Sequence, residues 1–136
     1  MKKLIFVVSL LCFSVFAHAQ LNSNAEYIKK NHSTQYENTL KKYALKEWND
    51  DYSMVVWEIN KQADALFEIT NSFKSNNTQV LFSAVQEWSK DGYKSSNIEK
   101  FNKFTVISIE NLLKLHCDWS MVKWEYDKQV KAKNAF

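Results

Sequence analysis

Apolar residues recur at alternating steps of four and three along Tyr52, Val56, Ile59, Ala63, Leu66, Thr70 and Phe73, the spacing that keeps one side of an α-helix against a core. A second stripe follows the same rule through Phe101, Thr105, Ser108, Leu112, Leu115, Trp119, Val122 and Tyr126. Two capping boxes mark helix starts, Ser23 with Glu26 and Ser96 with Glu99, each a hydroxyl followed three residues later by a carboxylate. From these signals the pattern predicts a long first helix from Ser23 to about Thr70, continuous through Asn49, Asp50 and Asp51 with at most a bend there, although two helices in series fit as well. An Asn- and Ser-rich loop over 71–77 comes next, then a short helix from Asn77 or Thr78 through Lys90, closed by Gly92 in the left-handed conformation. The last helix is expected from Ser96 to about Lys133. Between Phe101 and Cys117 apolar residues occupy several faces, Val106, Ile107, Ile109 and Leu113 among them, so this segment is expected to be the most buried. Its β-branched run at 105–109 admits a strand, but no hairpin partner accompanies it. The expected fold is therefore all-α: a compact bundle of three or four helices in the order long, short, long.

Residues 51–65 line up without a gap on 118–132, and nine of the 15 positions are identical. A shorter echo aligns 44–51 with 84–91, sharing Ala44 with Ala84, Glu47 with Glu87, Trp48 with Trp88 and Asp51 with Asp91. Duplication of a helical segment is the simplest account. The offset of 67 residues and the presence of only two copies argue for a closed bundle rather than an open solenoid. At about 100° per residue, eight of the nine identical positions, Asp51, Met54, Val55, Trp57, Glu58, Lys61, Gln62 and Ala65, cover one arc of about 160°, with Ser53 just beyond its edge. The positions that differ include the stripe itself: Tyr52, Val56, Ile59 and Ala63 become Trp119, Lys123, Tyr126 and Val130.

The ends of the chain set its compartment. Lys2 and Lys3, the apolar run over 4–17 and Ala17-His18-Ala19 read as a secretory signal over 1–19, cleaved before Gln20, which leaves one domain over 20–136. The run is too short for a membrane anchor, which needs about 20 residues, and Cys12 lacks the small neighbours that lipid attachment requires. An exported protein, periplasmic or secreted, is expected. After cleavage 16 Lys face 15 acidic residues, so no strongly charged partner is implied. No Arg is present to read phosphate or guanine bidentately, which argues against nucleic acid. A single Gly and no Pro exclude the glycine-rich phosphate loops. Cys117, alone after cleavage, is expected to be buried.

Catalytic chemistry finds little support. Asp51 with Glu58 and Asp118 with Glu125 lie two helical turns apart, yet His32 and His116 stand outside any Glu-x-x-His pattern, so neither a metal nor another cofactor is expected. His116 and Cys117 are adjacent and point about 100° apart on a helix, which prevents a thiolate pair, and no catalytic residue is assigned. Trp57 and Trp124 stand apart because each lies beside Lys and Glu rather than on the apolar stripe. With Met54, Met121, Glu58, Glu125, Lys61 and Lys128 they form the candidate binding face, and another protein is the expected partner. Envelope accessory, inhibitor and chaperone-like factor are the roles in view. A membrane surface or an apolar ligand is the alternative, and a metalloprotein or hydrolase comes after both. Because Lys123 replaces Val56, Trp57 is expected to be the more buried of the pair. The exported protein should begin at Gln20 by intact-mass measurement; Met1 on the mature chain would overturn the export expectation.

Overall fold

Asn22 opens the first helix by accepting the Ala25 N–H on its side chain at 2.9 Å, one residue ahead of the expected Ser23 cap. A computed structural model describes residues 19–136, so all but the last residue of the expected signal peptide lies outside the described residues. Helix α1 (Ser23–Asn31) stops at His32. Helix α2 then runs without a gap through an α-turn (Ser33–Gln35), a π-helical stretch (Tyr36–Lys41) and an α-helical part (Lys42–Trp48). The wider π-helical turns place Tyr36, Leu40 and Ala44 in the core together.

The long first helix expected from the pattern does not form. Asn49 turns the chain at a φ of 53°, which Asn tolerates better than other non-glycine residues. The Asp51 N–H donates back to the Trp48 carbonyl at 3.0 Å, and the Asp51 side chain caps α3 (Tyr52–Ser72) through the Met54 N–H. On α3 the buried face holds Val55, Glu58, Ile59, Gln62, Ala63, Leu66 and Ile69. The predicted stripe is only partly inside: Tyr52 is 67% exposed and Val56 half-buried, because neighbours cover the adjacent side.

A 3-10 turn (Ser75–Asn77) leads into α4 (Thr78–Glu87), which ends before the expected Lys90. The chain then runs extended: Lys90 N–H donates to the His116 carbonyl at 2.8 Å and Asp118 N–H to the Trp88 carbonyl at 3.0 Å. Gly92 takes the expected left-handed conformation, with φ of 85°. The expected final helix is three helices. Helix α5 (Lys94–Asn102) begins before Ser96, so Ser96 and Glu99 lie within it and cap nothing. Thr105, Val106 and Ile107 break the helical course, as successive β-branched side chains disfavour, and Ser108 then caps α6 (Ile109–Leu112) through the Asn111 N–H at 3.1 Å. Asp118 caps α7 (Trp119–Asn134). Val106 is exposed while Leu112, Leu113, Leu115 and Cys117 are buried, so apart from Phe101 the segment expected to be most buried is so only in its second half.

The described residues form an all-α fold of seven helices with no strand. Helix α7 lies along α3 in the same direction: Gln62 meets Asp118 and Ser120 near the start of α7, and Glu68 meets Lys123 further on, at 3.5 Å. At the centre of that arrangement Trp119 is 1% exposed. Trp119→Ala should cost about 3 to 5 kcal/mol in urea denaturation, against less than about 0.5 kcal/mol for Tyr52→Ala. Equal costs at these two matching positions would refute this packing.

Candidate functional site

The two repeated segments make the same local contacts. Asp51 accepts the Met54 N–H and the Ser53 hydroxyl; Asp118 accepts the Met121 N–H and the Ser120 hydroxyl. Two turns on from these caps, Glu58 and Glu125 are nearly buried. Glu58 receives Gln62 Nε2 at 2.9 Å and Lys61 Nζ at 3.3 Å, while Glu125 receives Gln129 at 2.8 Å and Lys128 at 3.3 Å. Each Lys, so held, lies over the tryptophan four residues before it, Lys61 4.3 Å from the Trp57 ring centroid and Lys128 4.1 Å from that of Trp124. Met54 and Met121 are half-buried beside this arrangement. Trp57 is 49% exposed and Trp124 52%. The expectation that Trp57 is the more deeply buried therefore fails: the Val56-to-Lys123 exchange lies on the side facing the other helix, not on the tryptophan side.

The two segments differ in their surroundings. Trp57 meets Trp48 edge to face with centroids 6.4 Å apart, and the Trp48 indole N–H reaches Glu58 at 3.4 Å. Gln62 also donates to Asp118 at 2.9 Å and accepts the Trp119 N–H at 2.6 Å. Hydrogen bonds to Asp118 from Gln62, Ser120 and the Met121 N–H outweigh its burial and hold its pKa below the usual carboxylate value. Asp51, Glu58, Asp118 and Glu125 are thus committed to caps and ion pairs. Among the described residues no group of three or more His, Cys, Asp or Glu side chains is arranged to hold a metal ion. No described helix is long and apolar enough to cross a membrane.

Sequence reasoning missed a second cluster, because its members are scattered along the chain. The Tyr43 hydroxyl and His116 Nδ1 are 2.7 Å apart, and the Tyr93 ring stacks on His116 with centroids 4.0 Å apart. Burial pushes Tyr43 up to about 12 and lowers His116, which keeps both neutral at physiological pH. Asn97, wholly buried, accepts the His116 N–H at 3.0 Å and donates to the His116 carbonyl and to Ser89, both at 2.9 Å. The Cys117 thiol points at the Val85 carbonyl and is pushed up to about 12, chiefly by burial. A thiol held protonated in this way is no activated nucleophile. Beside the cluster an open hollow of about 640 Å³ carries Lys100, Lys103 and Lys114. Two of these ammonium groups are engaged, Lys100 with the Lys114 carbonyl and Lys114 with Asn111.

Comparison with protein-family models, curated proteins and solved structures finds no match for this chain. Cys117 should resist thiol reagents at pH 8, where an ordinary thiol of pKa about 8.5 reacts readily, and should label only at the rate of unfolding. Rapid labelling of the native protein would place Cys117 at the surface.

Proposed function

We propose that this chain is an exported, non-enzymatic helical protein, periplasmic or secreted, built from two copies of one helical hairpin, and that it binds another protein through its repeated tryptophan face. The observation that carries the reading is the pair of half-exposed indoles at matching positions. Trp57 and Trp124 each keep about half their surface in solvent, although the same fold buries Trp119 completely enough to leave 1%. Each is also pre-arranged: a nearly buried Glu fixes a Lys, and the Lys lies over the ring. A rigid aromatic face beside fixed charges is the composition that protein interfaces favour, since it contributes contact area at little cost in side-chain entropy. No nucleic acid, metal or other cofactor enters the reading.

A Lys beside a Trp also suits a lipid surface, where the ring lies among headgroups and the ammonium reaches water. Capture from a native envelope extract, run beside flotation on anionic vesicles, distinguishes the two. Trp57→Ala and Trp124→Ala should each weaken capture by about 2 kcal/mol or more while leaving the melting temperature nearly unchanged. Capture that survives both changes, or flotation abolished by them, would overturn the protein-binding reading.

A further inference from the structure

We propose that this protein associates head to tail with further copies of itself, the groove between α4 and α7 of one copy taking the Asp51–Tyr52 end of α3 from the next. The inference rests on the two-hairpin reading, and its precedent lies inside the chain. Between α2 and α3 a groove is lined by Leu40, Tyr43, Ala44, Glu47, Glu58 and Gln62. The start of α7 fills it, with Trp119 buried against it and a residual space of only about 20 Å³. The Gln62 amide reads that helix start, its oxygen accepting the Trp119 N–H and its nitrogen donating to Asp118. The unpaired N–H groups and cap carboxylate of a helix beginning are thus the groups this groove recognises.

The groove between α4 and α7 has the same lining, position for position: Val80, Ser83, Ala84 and Glu87 lie forty residues on from Leu40, Tyr43, Ala44 and Glu47, and Glu125 and Gln129 lie 67 on from Glu58 and Gln62. Among the described residues nothing fills it; its volume is about 260 Å³ and Gln129 is exposed. At the other end of the molecule, the counterpart of Asp118–Trp119 is Asp51–Tyr52. Asp51 already holds the cap geometry of Asp118, and Tyr52 stands 67% exposed where Trp119 is 1%. One end therefore presents a groove without a plug and the other a plug without a groove.

The flanking positions agree. Inside the chain Lys123 pairs with Glu68; across the proposed contact their counterparts are Val56 and Ala135 of the neighbouring copy, an apolar pair replacing an ion pair. One position opposes association: Asp50 stands where the second hairpin has Lys90, which lines the filled groove together with Glu47, and in the open groove Asp50 would come beside Glu87. The contact is therefore weak, strengthened by salt and strengthened further by Asp50→Lys. Because plug and groove are different surfaces, the contact does not close on a dimer, and chains or rings result.

Sedimentation velocity of the exported protein should show a mass that rises with concentration without stopping at the dimer. Tyr52→Ala removes the plug; Gln129→Ala, or Ser83→Lys as a second variant, spoils the groove. Each should weaken association about tenfold or more. All three sites are exposed, so the variants should fold. A mixture of Tyr52→Ala with Gln129→Ala retains one intact groove and one intact plug and should stop at a heterodimer. Wild-type and Asp50→Lys protein that both stay monomeric up to about 1 mM would overturn the proposal, as would association indifferent to these variants. Trp57→Ala and Trp124→Ala should leave association intact, so loss of partner capture and loss of assembly are read separately. The hairpin reading has its own control, since Gln62→Ala should lower the melting temperature whether or not copies associate; an unchanged melt would remove the internal precedent.

Discussion

The grip of Gln62 on the start of α7 is the contact on which the arrangement of the fold depends. A helix beginning inside a core exposes N–H groups with no partner in the helix, and leaving one unpaired costs about 1 to 3 kcal/mol. Gln62 meets this need from α3, accepting the Trp119 N–H while donating to the Asp118 cap and to Glu58 on its own helix. The position of α7 along α3 is fixed by those bonds, and the indole of Trp119 is carried into the groove beside them. Once that register is set, Lys123 falls within reach of Glu68, and Val122 and Tyr126 are buried. Apolar burial supplies most of the driving force, but a hydrophobic stripe alone tolerates sliding; the amide and the cap set the position.

The same fixed point explains how the chain accommodates α5 and α6. In the first hairpin the Trp48 carbonyl takes the Asp51 N–H across a tight turn; in the second the Trp88 carbonyl takes the Asp118 N–H at the same 3.0 Å, with α5, α6 and their loops in between. Entropy of loop closure grows only with the logarithm of length, so a long insertion costs little more than a short one once its ends are held together. Holding them falls to Asn97, whose buried side chain bridges Ser89 to both backbone groups of His116. Burial of this amide is stabilising only because its donors and its acceptor are all satisfied.

Much of the all-α character was legible in the sequence, and much of the candidate face too. Period and capping signals named the helical segments, and the identities between 51–65 and 118–132 singled out the Asp, Trp, Glu and Lys that make matching contacts. Helix boundaries were harder to see. Asn49 takes a left-handed conformation without the glycine that usually marks one, so the break after Trp48 looked like a bend. Ser96 and Glu99 have capping-box spacing yet lie inside a helix already begun at Lys94. Tyr43, Tyr93, Asn97 and His116 converge only through tertiary contacts and left no periodic trace.

The identities between 51–65 and 118–132 separate two kinds of position. Most positions shared by the two segments serve contacts made within one segment: the Asp cap, the Glu–Lys pair, the Lys over its Trp. Gln62 is the exception, since it reaches across to Asp118 and Trp119, whereas Gln129 donates to Glu125 on its own helix. The positions that differ are those where each copy meets a different neighbour. Trp119 plugs a groove while Tyr52 faces solvent, and Lys123 reaches the other hairpin's Glu68 while Val56 has no such acid to meet. A lysine on an apolar stripe looks like a fault when one helix is considered alone. It becomes intelligible when the helix across from it is known: the exchanges at 52/119 and 56/123, together with the grip of Gln62, record how α3 and α7 are joined.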